Sequence, residues 1–260
     1  MTTLLSELGK KLADRWLTTL VLPGLLFVAA VVVARLLGHR HALDTARLAA
    51  ELDRVTRGVS AKPAVIALLV VGVLLAATAA GLLTQAVAAG VRRTWTARRP
   101  KRLVAWRANR AEAALDRYRP ARLTPIGDRF RLADERVDVQ FGLSVALAWP
   151  RLWLLLGEST AAALTTANAR YRAATETTAW GVLYLALGTV WWPAAAAGVV
   201  TVVVGYRRAR VGGAVLADLV EAVVDVHQRQ LAEAVGVELP HGRVTPAEGL
   251  RINDILNKRA

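Results

Sequence analysis

Three carboxylates near the C-terminal end of the sequence have the spacing of a possible cation site. Asp218, Glu221 and Asp225 fall at i, i+3 and i+7, with His227 two residues further on. On a helix this spacing places the three carboxylates on one face, and oxygen ligands of this kind can bind a divalent metal ion. Ion pairing with the arginines in the middle of the chain is a simpler use for them, and we favour it.

A second possible metal site is His39-Arg40-His41 with Asp44. Alternate histidines can share an ion, but the arginine between them repels cations and no further ligand cluster follows. We therefore interpret these residues as polar side chains beside a membrane surface, and we expect no metal and no cofactor.

Catalytic patterns are scarce in this sequence. Gly142-Leu143-Ser144 resembles the glycine-x-serine of a rhomboid-type intramembrane protease, yet none of the four histidines lies in an expected membrane span to act as the base. The absence of cysteine excludes thiolate nucleophiles and Cys-ligated zinc. The sequence also contains no HExxH, Walker A or GxGxxG pattern, so we expect a protein that is not an enzyme.

The elements around these residues are dominated by long apolar segments. Residues 16–37 contain Arg35 as their one charge, and residues 64–91 are 28 uncharged residues preceded by Pro63. At about 1.5 Å per residue, either segment is long enough to cross a hydrocarbon core of about 30 Å. Leucines at helical spacing in residues 1–15 predict an amphipathic lead-in on the inner leaflet.

A third apolar segment, residues 177–206, contains 30 uncharged residues. This length is great for one membrane helix and short for two. Trp191-Trp192-Pro193 favours a turn at the outer interface, which predicts a short hairpin and places the flanking arginines on one cytoplasmic side. A single Pro-kinked helix is the alternative.

A basic cluster directly follows the second span. It consists of six positive residues, namely Arg92, Arg93, Arg98, Arg99, Lys101 and Arg102. Such a cluster indicates the cytoplasmic end of a membrane helix and can contact anionic lipid headgroups. Nucleic-acid binding is the rival interpretation; we do not expect it, because no recognition fold is visible in the sequence.

The basic segment between the spans predicts a cytoplasmic helical domain. An apolar stripe containing Leu103 and Trp106 predicts an amphipathic helix over 101–119, with Arg110 stacked on the Trp106 ring. Residues 120–137 predict a folded loop with a short helix over 129–137. After Phe141 comes an apolar piece too short and too charged for a span. Four of its residues, Trp149, Pro150, Arg151 and Trp153, predict an interfacial or re-entrant segment.

Several short motifs in the second half of the chain carry a resemblance. In order, they are Arg122-Leu123, Gly127, Arg131, Asp134-Glu135-Arg136, Phe141-Gly142-Leu143, Trp149-Pro150-Arg151-Leu152 and Asp225-Val226-His227-Gln228. This order resembles a family of uncharacterised bacterial multi-pass membrane proteins with a Trp-Pro-Arg-Leu motif. The chain departs from that pattern at Pro125-Ile126-Gly127-Asp128 and at Gln228. The resemblance implies a shared membrane fold and no assigned activity.

Together these patterns predict a mostly α-helical integral membrane protein of the bacterial cytoplasmic membrane. It has four transmembrane helices arranged as two hairpins, with both termini cytoplasmic. The expected regions are a lead-in 1–15, a first hairpin 16–91 with outer loop 38–63, a basic cytoplasmic domain 92–176, a second hairpin 177–206 and cytoplasmic C-terminal helices 207–260. In the last region, we expect Gly212-Gly213 to loosen the join to a helix from about Ala214 to Val235, and Thr245-Pro246-Ala247-Glu248 predicts a capping box that starts a short helix through Leu256.

The function we expect is that of a non-enzymatic anchor or scaffold which recruits a cytoplasmic protein. Its partners would be anionic lipid headgroups, that unidentified protein and possible further copies of the chain. The residues expected to contact lipid or the partner are the six residues of the basic cluster together with Asp218, Glu221 and Asp225. A small oligomeric, membrane-perturbing or pore-forming effector is the alternative. In that case, small residues at four-residue spacing (Gly72, Ala76 and Ala80) would form the contact between copies.

Overall fold

A computed structural model describes residues 21–59, 63–111 and 118–258 of the chain. These residues are α-helical with no β-strand among them, so the predicted mostly α class is confirmed. The helices are α1 (Leu22–Leu37), α2 (Thr45–Val59), α3 (Pro63–Thr96), α4 (Lys101–Asn109), α5 (Pro125–Phe141), α6 (Val145–Leu155), α7 (Glu158–Leu187), α8 (Trp192–Ala234) and α9 (Pro246–Leu256). The predicted lead-in over residues 1–15 lies outside the described residues.

Helix α3 is the one described helix that is both long and apolar enough to cross a membrane by length and composition. It contains 34 residues, and its most apolar 18-residue window has a mean hydropathy of 2.7 with 17% of the window buried. As predicted, Pro63 stands at its first position, where the missing N–H costs nothing.

The chain divides into two compact units. Unit 1 comprises the described residues of Met1–Val91 and Glu176–Gly205, and unit 2 those of Arg92–Thr175 and Tyr206–Ala260. Helices α3, α7 and α8 each contribute residues to both units.

In unit 1, helices pack through small residues and aromatic rings. A Cβ on Gly24 of α1 would lie 2.2 Å from the Ala77 carbonyl oxygen of α3, so this glycine is required for the close approach. The Phe27 ring contacts Trp180 and Tyr184 of α7, with centroid distances of 5.8 and 5.3 Å.

Residues 177–206 form two helices joined by a turn. Helix α7 ends at Leu187 and α8 begins at Trp192, with Trp191-Trp192 at the turn. Gly181 and Gly198 bring the two helices together, since a Cβ on either would lie within 3.0 Å of atoms on the other helix.

Neither helix of this hairpin is short. Helix α7 has 30 residues and α8 has 43, so both extend far beyond the uncharged segment. We expected Gly212-Gly213 to loosen the join to a separate C-terminal helix, and that expectation is wrong because α8 runs through both glycines. Gly213 is buried there, where an added Cβ would contact Ile126, Phe130 and Tyr171 at 3.4–3.6 Å.

The main core of unit 2 is formed by α5, α6, α9 and the C-terminal part of α8. Its buried members are apolar, namely Val137, Phe141, Leu143, Ala148, Leu152, Val224, Leu231, Ala232, Val237, Val244, Ile252 and Leu256. Burial of such side chains supplies the main stabilisation of a helical domain.

A polar corner joins α5, α6 and α9. Gly142 ends α5 with φ of +65°, a conformation that favours glycine. The Asn253 amide of α9 donates to the Gly142 carbonyl at 2.8 Å and accepts from the Ser144 N–H at 3.0 Å. Helix α9 begins with the capping box predicted for Thr245-Pro246-Ala247-Glu248.

Two predicted boundaries in unit 2 are wrong. Helix α4 ends at Asn109, and Arg110 and Ala111 lie in a turn, so an unbroken helix over 101–119 does not form. Residues 125–128, which we expected in a loop, are the first turn of α5. The reason is a strong helix start: the Thr124 side chain accepts a hydrogen bond from the Gly127 N–H, and Pro125 follows the cap.

The corner provides a test of the fold. Gly249→Ala would place a Cβ 1.8 Å from the Phe141 carbonyl oxygen. We expect it to lower the free energy of unfolding by at least about 2 kcal/mol, because backbone atoms must move to make room. Thermal unfolding in detergent would measure the change.

Gly90→Ala is the matched control. No atom lies within 4 Å of its Cβ position, and in a helix this substitution is neutral or stabilising by up to about 1 kcal/mol. Equal destabilisation by both changes would contradict the close contact at Gly249.

Candidate functional site

Seven exposed or half-exposed arginines lie on α3, α7 and α8 where these helices meet in unit 2. These residues, called here the arginine ring, are Arg92, Arg93, Arg170, Arg172, Arg207, Arg208 and Arg210. Contacts between neighbouring residues place the three helices at one level: Arg92 Nη1 lies 3.3 Å from Thr175 Oγ1, and the Trp95 ring lies 5.7 Å from the Tyr206 ring. None of the ring arginines pairs with a carboxylate among the described residues.

An aromatic cluster packs at the same level. Trp95 is buried and contacts Tyr171 as well as Tyr206, and Phe130 of α5 packs edge-on against Tyr171 at 5.6 Å. Desolvation raises the pKa of the Tyr171 hydroxyl. The cluster therefore packs α3, α5, α7 and α8 against one another at the level of the arginines.

The C-terminal end of α3 is capped by the segment that precedes α5. The last carbonyls of a helix have no partner within it. Here the Thr124 hydroxyl donates to the Trp95 carbonyl at 2.9 Å, and the Leu123 N–H donates to the Ala97 carbonyl at 3.0 Å. The Arg122 guanidinium donates to the Thr96 carbonyl, also at 3.0 Å.

Asp128 holds this capping segment in place from inside unit 2. Its Oδ1 accepts the N–H groups of Ala121 and Arg122 at 2.8 and 2.9 Å, and its Oδ2 lies 3.0 Å from Arg107 Nη1 on α4. The Arg107 contact lacks hydrogen-bond geometry at Oδ2 and acts as an ion pair. Arg107 also donates to the Arg122 carbonyl, so one carboxylate links α4, the capping segment and α5.

Sequence reasoning missed this junction. Thr124 followed by Pro125 is the signal that could have revealed the helix start, and a helix start would have placed Asp128 in its first turns. Desolvation, followed by repulsion from Arg98 and Arg131, lowers the pKa of Arg122 at this junction.

The predicted basic cluster is largely free of internal partners. Five of its members, Arg93, Arg98, Arg99, Lys101 and Arg102, are exposed and form no ion pair among the described residues. Arg92 is half-buried and contacts Thr175. The cluster therefore presents cations to the surroundings of unit 2.

Two of the three C-terminal carboxylates are used inside unit 2. Asp218 pairs with Arg129 of α5, and Glu221 pairs with Arg136 of α5 at 2.7 Å. Both arginines belong to the central basic segment, whereas the expected contact of the three carboxylates with a partner protein stays a prediction. For Asp225, desolvation, followed by repulsion from Glu221, raises the pKa of the carboxyl.

Neither possible metal cluster assembles a ligand set in the described part of the chain. The ring nitrogen Nδ1 of His227 contacts the Val223 carbonyl of its own helix at 3.1 Å. In unit 1, His39 Nε2 contacts the Thr189 carbonyl at 2.8 Å, and Asp44 caps α2 by accepting the Arg47 N–H at 2.9 Å. The loop after α1 and the α7–α8 turn therefore lie together, and Trp191 Nε1 donates to Ala42 O at 2.9 Å.

The Trp-Pro-Arg-Leu segment lies within α6, which packs against the core of unit 2. Leu152 is fully buried there, whereas Pro150 and Trp153 are exposed. The Trp149 and Trp153 rings contact each other at 6.1 Å, and Arg151 donates to the Leu147 carbonyl at 3.1 Å. One side of α6 is thus core, which the interfacial interpretation did not anticipate, and the other side is open.

The small residues of α3 divide between two faces. Ala80 is buried in unit 1, together with Ala77 and Gly81. Gly72 and Ala76 are exposed, and no atom lies within 4 Å of a Cβ placed on Gly72. The predicted Gly72-Ala76-Ala80 row is therefore not one packing face.

A groove of about 480 Å³ lies along α5 in unit 2. It is lined by Tyr118, Leu132, Glu135, Arg136, Val139 and Gln140. Val139 is 76% exposed at its edge. This groove combines apolar surface with both signs of charge, which suits a protein segment better than a small anionic ligand.

Comparisons with known proteins do not extend these observations. A scan of protein-family models, a search of curated proteins and a search of solved structures each found no match. The resemblance to a family of multi-pass membrane proteins therefore stays a prediction.

Removing the Asp128 carboxylate tests the junction. Asp128→Ala would leave Arg107 without its carboxylate in a mostly buried position, and we expect a loss of about 3 kcal/mol in the free energy of unfolding. Asp138→Ala, at an exposed position on the same helix, should change stability by less than about 0.5 kcal/mol. Denaturant unfolding followed by far-UV circular dichroism would compare them, and a small effect at Asp128 would refute its central role.

Proposed function

We propose that this protein is a multi-pass anchor of the bacterial cytoplasmic membrane. In this proposal, unit 1 crosses the bilayer with four helices, arranged as the hairpins 16–91 and 177–206, and unit 2 is a cytoplasmic scaffold that recruits a protein partner without catalysing a reaction. The observation that carries it is the exposed apolar surface of α3.

The exposure of α3 argues against a soluble core helix. A core helix of this hydropathy is mostly buried, whereas residues 63–76 of α3 are exposed at every position. Leaving so much apolar surface in water is unfavourable by about 25 cal/mol per Å². Contact with lipid removes that cost, which supports a membrane location for this helix.

The arginine ring supports a cytoplasmic location for unit 2. Uncharged sequence ends at the ring on α3 and again on α8, and arginines beside membrane helices are typical of the cytoplasmic side. The hydrogen bonds from His39 to Thr189 and from Trp191 to Ala42 join the two expected outer connections. Both features agree with an even number of spans and cytoplasmic termini.

A scaffold role for unit 2 is supported by ion pairs between its helices. Arg107, Arg129 and Arg136 are held in ion pairs between helices, so they stabilise the fold. The groove along α5 then offers a rigid apolar edge for a partner. A pore formed by several copies is the alternative; it would use the exposed Gly72 and Ala76, since Ala80 is already packed.

The absence of cysteine allows a direct test of topology. Arg40→Cys and Val190→Cys lie in the expected outer connections, and Gln230→Cys lies on the exposed surface of α8 in unit 2. We expect a membrane-impermeant maleimide to label Arg40→Cys and Val190→Cys in intact cells. We expect it to label Gln230→Cys only after the cells are permeabilised. Labelling of Gln230→Cys in intact cells, or complete extraction of the protein by alkaline carbonate, would contradict the proposal.

Partner recruitment is tested at the groove. Val139→Asp places a charge on its apolar edge, and we expect a protein that copurifies stoichiometrically from membranes to be lost. Val226→Asp is the matched control, because Val226 is 71% exposed and lies on α8, outside the groove. If the wild type purifies as a homo-oligomer with nothing else bound, or if both variants retain the partner, the groove is not a recruitment surface.

A further inference from the structure

Helix α4 presents an outer face that is both apolar and basic. Leu103 is 53% exposed and Trp106 is 54% exposed, with Arg102 and Arg110 exposed beside them. The Arg110 guanidinium stacks over the Trp106 ring at 4.3 Å from its centroid, as the sequence predicted. No acidic residue occurs between Arg92 and Ala111.

The half-buried side of α4 determines which face is open. Val104, Arg107 and Ala108 are half-buried, and no residue of this helix is fully buried. Arg107 is fixed by its ion pair with Asp128. The helix therefore cannot turn Leu103 and Trp106 toward the core of unit 2 without breaking this pair.

A leucine and a tryptophan flanked by cations match the interface of an anionic bilayer. Tryptophan prefers the headgroup level, and arginine and lysine are attracted to anionic headgroups. A nucleic acid would use the cations, but it would leave Leu103 in water. The apolar part of the face therefore favours lipid.

The tether to α3 keeps this helix near the membrane. From Thr96 to Lys101 the chain spans at most about 17 Å when fully extended. The first carbonyl of this connection, that of Ala97, is held by the Leu123 N–H. Helix α4 thus begins within about 17 Å of the end of α3, the described helix that is long and apolar enough to cross a membrane.

We propose that the outer face of α4 inserts into the headgroup layer of an anionic bilayer, with Leu103 and Trp106 in lipid and Lys101, Arg102 and Arg110 at the phosphates. This inference rests on the proposed membrane anchor. It makes α4 an interfacial helix and assigns it an acidic lipid surface as partner.

The test uses the full chain with a single cysteine. Leu103→Cys carries an environment-sensitive fluorophore and is reconstituted into vesicles of phosphatidylcholine, with or without phosphatidylglycerol. We expect a blue shift and quenching by spin-labelled lipid in the anionic vesicles, both reduced by high salt. Gln230→Cys, labelled in the same way, should show neither effect.

A charge variant measures the preference for anionic lipid. Adding Lys101→Gln and Arg102→Gln to Leu103→Cys should weaken that preference about 30-fold, equivalent to about 2 kcal/mol. The measured quantity is the ratio of inserted to free α4, taken from the blue-shifted fraction of the emission, in anionic vesicles relative to neutral vesicles. An unchanged ratio would overturn the electrostatic part of the proposal.

The outcomes separate this inference from the anchor itself. If the labelled protein floats with the vesicles but Leu103→Cys behaves like Gln230→Cys, the anchor stands and the interfacial helix is refuted. If the protein does not float, the anchor fails. If a short single-stranded RNA shifts the fluorescence without vesicles and anionic lipid does not, the face binds nucleic acid and the lipid proposal is overturned.

Discussion

The carbonyl groups at the end of α3 need hydrogen-bond partners, and several segments of unit 2 are arranged around the residues that supply them. A long helix finishes with carbonyl groups that have no intrahelical partner, and here those of Trp95, Thr96 and Ala97 are bonded by the segment before α5. Gly127 allows the segment before α5 to approach the end of α3 closely, because a Cβ at this position would lie 2.4 Å from the Trp95 carbonyl oxygen. Asp128 holds the segment, and Arg107 attaches α4 to it.

Two groups of arginines in this protein differ in their partners. One group is paired with carboxylates of other helices, and the other has no carboxylate partner among the described residues. Arg107, Arg129 and Arg136 face carboxylates and join helices. The arginine ring and the cluster after α3 have no such partners among the described residues, so their charge is directed outward. A structural use and a surface use therefore coexist within one basic region, and the sequence alone distinguishes them poorly because both kinds of arginine are interspersed.

Local signals in the sequence predicted some elements well and others poorly. Thr245-Pro246 was correctly interpreted as a helix start, yet the equivalent Thr124-Pro125 was not, because Pro125 and Gly127 together resemble a loop. The uncharged segment 177–206 correctly indicated a turn near Trp191, but charge alone set its limits too short, since α7 and α8 continue into charged sequence. Tertiary contacts such as Asp128 with Arg107 join residues 21 positions apart, and no local pattern reports them.

Asn253 has a consequence for how the chain is made. Its side chain completes the corner between α5 and α6, although it is 111 residues beyond Gly142 in the sequence. At typical rates of translation, that interval takes on the order of ten seconds. During this time the Gly142 carbonyl and the Ser144 N–H lack their Asn253 partner. The arrival of α9 thus completes the hydrogen bonding of this corner after α5 and α6 have been synthesised.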